Sequence, residues 1–518
     1  MTVMEKPTRK GRRRANHGAT SAGGGHAKQV NYRQIKNPFP HHRVVSDDQL
    51  HHIHATALRV LSDLGIRVLL PEARQLFRSA GAKVDEDTLM VHFDPTMVEE
   101  NVDRAPRSFT VHAGDPTRNL DVQLGTLLFQ PGGAAPHATD LTRGRRPATL
   151  SDFRDLCKLT QAFDVLHMFS ALVEPQDVPT HVRHYEQMRG QLTLSDKVPH
   201  VYGRGSPQVR DSFELIKIIR GLSDDDFRAC PWTYTVVNTN SPRQLDIPMA
   251  QALIDFARAG QASIVTPFTL MGAMAPITVA GAMTLSHAEA LAGIALTQIA
   301  HPGAPVMYGT FTSNVDMKSG APAFGTPEHF KASALAGQLA RHLGLPWRCA
   351  SGSAANLGDA QAASETQMGM WGCVLGGATL VKHAAGWLEG GLTVSYEKLV
   401  TDVEVLQMVA DLCHHTAADE DEIGFDAIAE VEPGGHFFAA GQTMQRYQTE
   451  FYEPMVHDWA NFGTWTERGS HDATARATEV WQKIVAEQTP PTVPHDRLEA
   501  FDAFVARRTE EGGAPPES

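Results

Sequence analysis

The chain is poor in cysteine chemistry. Its five cysteines, Cys157, Cys230, Cys349, Cys373 and Cys413, lie far apart and form no CxxC pair. That spacing excludes a zinc-finger or disulfide framework, and it fits a reducing cytoplasm with inert buried thiols. No apolar run reaches the ~18 residues needed to span a bilayer, and the N-terminus lacks the apolar core of a signal peptide. No GxGxxG or GxxxxGK loop follows a strand, which argues against a nucleotide cradle. There is also no GxSxG elbow, and no cysteine has a histidine in a recognisable catalytic setting.

What is present is an ordinary globular composition, with 42% hydrophobic and 20% charged residues in 518. Charge is unevenly placed. Residues 1–37 hold nine Lys or Arg against one acid, Glu5, while the whole chain carries a net charge of -13. A basic tail on an acidic body is expected to be a disordered, solvated segment, and the acidic body would repel nucleic acid. Neither a nucleic acid nor a membrane is therefore an expected partner.

After the tail, Ser46 with Gln49 predicts a capping box for a helix that Gly65 ends, and a second helix begins near Pro71. Residues 38–118 read as an N-terminal helical cap with short strands. From residue 119 the rhythm changes. Apolar, β-rich runs occur at 126–131, 165–172, 198–203, 232–238, 263–270, 304–311, 347–352 and 378–383. Helical patterns lie between most of them, for example at 286–299, 327–343 and 359–376. Eight such strands predict an α/β fold of the (β/α)8 TIM-barrel type over 119–414, with an open doubly wound sheet as the competitor. Residues 415–518 are expected to be a C-terminal helical extension. In it the run 419–422 is a solvated connection, a helix runs through Ala473, Ala477, Val480 and Ile484, and the last residues are frayed.

In a parallel barrel the active site is built at the carboxyl ends of the strands. That rule selects Asn238 and Asn240, then Pro267, Phe268 and Thr269, then Tyr308 and Phe311, then 351–356, and finally His383, Trp387 and Glu389. The set is rich in aromatics and amides. It is poor in metal ligands, since only His383 and Cys349 offer suitable donors and zinc needs three or four, so no metal is expected. Ser351 and Ser353 sit in a loop of small residues that reads as space for something else. Glu365 and Glu389 divide between a pocket role and a cap role. His436 is expected to be a packed structural histidine, and Met368 with Trp371 to be core.

Several stretches resemble the trimethylamine methyltransferase family. They are LGIRVLLPEARQLFRSAGAKVDEDT, AGAMTLSHAEALAGIALTQIAHPGAPVMYG, GAPAFGTPEH, DAQAASE, AAGWLEGGLTVSYEKLVTD and GQTMQRY, in one collinear order over roughly residues 40–490. The resemblance implies a cobamide-linked barrel that passes a methyl group from a methylamine to a corrinoid protein. The founding members carry pyrrolysine on the strand-seven loop. Counting back from Asp359 places Gly352 at that position, with Ala354 and Asn356 where the family segment has Asp and Lys. Gly352 thus marks the catalytic position without a catalytic side chain, beside His383 and Glu389.

Chemistry gives that departure a reading. Trimethylamine would have to expel an amide anion and needs activation, whereas a quaternary ammonium leaves as a neutral tertiary amine and needs only positioning. The expected activity is transfer from a betaine-like quaternary amine to the Co(I) corrinoid of a separate protein, because the chain has no DxHxxG cobalamin signature. Tyr234, Phe268, Tyr308, Phe311 and Trp387 would supply aromatic faces for the cation, Glu365 or Glu389 diffuse charge, and Asn238 a polar contact. Alternatives are a trimethylamine methyltransferase using another activation route, and a betaine-binding protein that has lost catalysis. A homo-oligomer is a further expectation.

Overall fold

The structure is a computed structural model that describes residues 34–517. The expected basic tail therefore lies almost wholly outside the described residues. Ile35–Lys36, at its end, is a short strand paired antiparallel with Leu127 and Thr126.

The architecture is mixed α/β. A seven-stranded sheet runs in the order Ile35–Lys36, Thr126–Phe129, Leu380–Lys382, Trp347–Ala350, Val306–Gly309, Ala262–Val265 and Tyr234–Val237. The last six are mutually parallel, joined through helices such as Val279–Ala300, Pro327–Leu343 and Ala360–Gly376. Two expected strands, 165–172 and 198–203, do not form regular ladders. They make isolated parallel bridges, Met168 with Val198 and His200 with Tyr234. Side chains interrupt the ladder there. Gln191 hydrogen-bonds both the amide (2.7 Å) and the carbonyl (3.1 Å) of His200, and His167 Nδ1 accepts from the amide of Phe129 at 3.0 Å. Pro199 has no N–H to donate.

Two other expected strands each divide. Ala262–Val265 breaks at Pro267 and resumes as Phe268–Met271, and Val306–Gly309 resumes as Phe311–Val315. The second halves pair with each other, Phe268 opposite Phe311, in a small separate sheet. Phe268 and Phe311 are thereby carried beyond the carboxyl ends of the main strands.

The sheet has two faces of different character. Phe129, Val265, Tyr308, Trp347, Cys349 and Val381 pack in the large cluster shared with the helices. Leu128, Met168, Val198, Tyr234, Ile264, Met307 and Leu380 form an inner cluster, which Val111, Leu120 and Val122 of a hairpin close at the amino ends of the strands. Helix Val279–Ala300 is long and apolar enough to cross a membrane by length and composition, yet most of it is buried. It packs against Asp47–Arg59, Pro95–Asp103 and Ile247–Arg258, which explains an apolar character on every side.

The Ser46–Gln49 capping box forms, and the first helix ends at Gly65 through a π turn. In the C-terminal region the acidic run is not a bare connection. Asp419 caps a short exposed helix, Glu420–Ile423. The last residues are not frayed either: helix His495–Glu510 buries Phe501, and the amide of Ala514 donates to His181 O at 2.8 Å. His436 lies in an exposed segment rather than packed, and Met368 is 44% exposed because it stands on the outer face of helix Ala360–Gly376, while Trp371 of the same helix is partly buried against the large cluster.

Candidate functional site

The site is assembled above strands Trp347–Ala350 and Leu380–Lys382. Side chains alternate along a strand, so Arg348 and Ala350 share one face, as do Leu380 and Lys382. Ala350 is registered with Lys382 and Arg348 with Leu380. Leu380 belongs to the inner cluster and Ala350 to a small aromatic cluster with Phe311, Phe324 and Trp387, against which Phe268 and Ala354 pack. Arg348 and Lys382 therefore point inward and upward, between the apolar floor and the aromatic rim.

Trp387 is the centre of that rim. Its indole stacks on the His383 ring at 4.2 Å and 14°, with Phe324 at 5.2 Å and Phe311 at 5.8 Å. Phe311 also stacks on Phe324 at 5.1 Å and meets Phe268 at 5.0 Å. Three glycines make room for the indole. A Cβ at Gly352 would fall 2.2 Å from Trp387 Cε3, one at Gly391 would fall 2.3 Å from Cζ2, and one at Gly132 would fall 3.0 Å from Cδ1. Gly352 also has φ +115°, which L side chains rarely adopt. The small-residue loop is thus not open space: Trp387 covers Gly352.

The loop itself is held by Glu365. Its carboxylate accepts from Ser353 Oγ at 2.7 Å and from the amides of Ala354 and Ala355 at 2.8 and 3.1 Å. Glu389 lies in the rim but is engaged by Arg145, whose Nε and Nη2 donate to it at 2.8 and 2.9 Å. Burial works to raise the Glu389 pKa, but the bonded Arg145 outweighs it and holds the group below its ordinary value. Neither carboxylate is left as an unpaired charge facing the aromatics. From beneath, Asp402 accepts from the amide of Gly386 at 2.8 Å and pairs with buried Lys398 at 2.8 Å, anchoring the turn that carries Trp387. His329 is buried, its pKa pushed down to about 4 by desolvation, and its Nε2 lies 3.1 Å from Ala350 O.

Of the remaining expected residues, Tyr234 lies in the inner cluster with its hydroxyl donating to Phe169 O. Tyr308 is not brought to the site. It faces the helices, with its hydroxyl 3.0 Å from His287 Nδ1, because its position in the strand points it outward. Asn238 is exposed and donates to Thr266 O at 2.9 Å. Gly352, His383, Trp387, Phe268 and Phe311 do come together.

Sequence reasoning missed Phe324, Arg145, Arg348 and Lys382. The two cations carried a signal. Each is the one charged residue in an apolar run read as a strand covered on both faces, WRCASG and ATLVKH. Burial and the neighbouring Arg348 push Lys382 down to about 7, and desolvation lowers Arg348 to about 10. His383 is held well below the usual histidine range by burial first, then by Lys382 and Arg348. Its left-handed backbone, φ +55°, is uncommon for a non-glycine residue. Among the described residues no group of three or more His, Cys, Asp or Glu is placed to hold a metal.

Comparison with known proteins adds to this geometry. A profile of the family described as trimethylamine methyltransferase (MTTB) matches residues 9–513. The chain is 33% identical over 477 residues to a glycine betaine methyltransferase of Desulfitobacterium hafniense, covering 92% of this chain and 99% of that one. It is 29% identical over 465 residues to a trimethylamine methyltransferase of Methanosarcina mazei, covering 88% and 93%. Among solved structures, the crystal structure of the hydroxylamine MtmB complex aligns with a TM-score of 0.45 at 10% identity, covering 92% of this chain and 97% of that chain.

Proposed function

Because this chain belongs to the trimethylamine methyltransferase family, we propose that it moves a methyl group from a quaternary, betaine-like methylamine to the cobalt(I) corrinoid of a partner protein. The observation that carries the choice of a quaternary amine is the centre of the site. At Gly352 there is no side chain to activate a leaving group, and Trp387 packs directly on it. Glu365 and Glu389, the nearest candidate acids, are both engaged in structure. What remains is an aromatic rim of Phe311, Phe324 and Trp387, which suits a methylated cation at about 0.5–2 kcal/mol per ring face.

The corrinoid is the methyl acceptor, brought by the partner and supplying the nucleophile. This chain orients the amine. The C–N bond breaks with its electron pair on nitrogen, so a quaternary ammonium leaves as a neutral tertiary amine and no proton donor is needed. His383, neutral and stacked on Trp387, holds the rim in place.

We further read the parallel sheet as closing into a (β/α)8 barrel through 165–172 and 198–203, supported by the bridges of Met168 and His200 and by the bond from His167 N to Phe129 O at 2.9 Å. The division into a cap (38–118), a barrel (119–414) and an extension (415–518) belongs to the same reading, as does a cytoplasmic setting. A homo-oligomer is supported by the exposed Phe425, Phe438, Phe451, Trp459 and Phe462 of the extension.

The test is a panel of glycine betaine, choline and trimethylamine incubated with this protein and a reduced corrinoid protein, following loss of cobalt(I) absorbance. Demethylation of a quaternary amine is expected. Demethylation of trimethylamine without any quaternary amine would overturn the reading, and binding without transfer would favour a binding protein.

A further inference from the structure

Arg348 and Lys382 are 1% and 7% exposed, yet neither is paired with a carboxylate among the described residues. Glu174, the acid beside Tyr202, is itself engaged by Arg183 at 3.4 Å and Arg204 at 3.2 Å. Two buried like charges on one face of adjacent strands are costly unless something anionic meets them. Unused polar atoms lie within electrostatic reach of the pair: Arg348 Nε itself, His200 Nδ1 and His383 Nδ1 are buried without a hydrogen-bond partner among the described residues. Among the described residues Arg348 donates only to Thr310 O, at 3.3 Å, while its guanidinium lies 5.5 Å from the centre of the Phe311 ring.

We propose that Arg348 and Lys382 form a carboxylate-binding floor beneath the aromatic rim, so that the substrate is a zwitterion with an anionic group a few bonds from its quaternary nitrogen. This rests on the methyltransferase reading and deepens it. Arg348 offers a planar donor pair suited to both carboxylate oxygens, and Lys382 adds a point charge. The carboxylate is held low, and the ammonium is turned toward Phe311, Phe324 and Trp387. An amine without the anion would leave both cations unmet.

The test is calorimetric binding of glycine betaine, its methyl ester, and acetate to the full chain. Betaine and ester share the trimethylammonium group and differ in the carboxylate charge. Betaine is expected to bind on the order of 100-fold tighter than the ester, and betaine should displace acetate. In Lys382→Met the betaine-to-ester ratio should fall below about 10-fold, with thermal stability at least equal to the parent because an unpaired buried charge is gone. Arg348→Gln should reduce the ratio as well. Equal affinities in the parent, an unchanged ratio in both variants, or acetate binding that betaine does not displace would each overturn the proposal. Methyl-transfer assays are scored separately. Charge discrimination without transfer would sink the methyltransferase reading alone, and transfer without discrimination would sink this one.

Discussion

Gly352→Ala is the sharpest perturbation of the site. The added Cβ would stand 2.2 Å from Trp387 Cε3 and 2.6 Å from Cζ3, against an ordinary carbon contact of about 3.5–4.0 Å. The indole must then recede by more than about 1 Å. It has little room to do so, since His383 stacks behind it at 4.2 Å and Gly391 and Gly132 abut its other edges. Overpacking of this kind costs about 1–3 kcal/mol. The backbone at φ +115° adds about 1–3 kcal/mol of strain for a residue with a Cβ. A total loss of about 2–6 kcal/mol is expected from urea unfolding, together with weaker betaine binding. The double variant Gly352→Ala/Trp387→Leu separates the terms, because removing the indole should recover the overpacking part and leave the backbone part. A Gly352→Ala protein within about 0.5 kcal/mol of the parent, with unchanged affinity, would refute the claim that Trp387 and Gly352 are fitted to each other.

Phe311→Leu should weaken binding of a trimethylammonium ligand by about 3- to 30-fold, measured by calorimetry, because one cation–π face is lost. Glu365→Ala should lower the unfolding free energy by about 1–3 kcal/mol, read from urea denaturation, and speed amide exchange at Ala354 and Ala355, whose N–H groups it accepts at 2.8 and 3.1 Å. Glu365→Gln should be milder. Lys382 sets a pH dependence. Its folded value of about 7 lies below the ordinary 10.5, so between those values the unfolded chain binds more protons and stability rises with pH. Below about 7 both states are protonated and the contribution is flat. His200 and His383, also facing this space, are held well below their usual range and stay neutral across the window, while Arg348 stays charged up to its lowered value of about 10. Urea midpoints from pH 6 to 9 should rise in the parent and lose that part of the slope in Lys382→Met; an identical slope in both would count against the assignment.

Much of the fold was legible because its signals are local. The Ser46–Gln49 box, the Pro71 start, helix Pro327–Leu343 and the Asp359 cap all depend on a few adjacent residues. Apolar runs marked six of the strands in the main parallel sheet. The rest was decided at a distance. Whether 198–203 forms a ladder depends on Gln191, on another element, capturing both polar groups of His200. Whether Tyr308 faces the pocket or the helices turns on a single register step, which a continuously apolar run does not encode. The aromatic members Phe268, Phe311 and Trp387 could be named from their positions after strands. Phe324 could not, because the extra sheet Phe268–Met271, Phe311–Val315 and Pro322–Ala323 that delivers it has no signature in the run.

The two halves of the site have different physical logic, and this bears on how substrates are told apart. The rim is made selective by fit. Glycines at 132, 352 and 391 let one large ring sit where side chains would otherwise stand, so its shape is fixed by packing. A hydrophobic fit of this kind separates ligands differing by a methyl group only modestly. The floor works by charge. Leaving Arg348 and Lys382 unmatched in a dry site is expensive, so an amine lacking the anion is rejected far more strongly than shape alone allows. Placing both on the same two strands, at 348 and 382 below and 352 and 387 above, makes distance between charges the quantity that is measured. Trimethylamine fails the floor: it offers no anion to Arg348 and Lys382. The substitution of glycine at the loop position and the cations beneath it therefore point the same way, toward a substrate that brings its own charge pair.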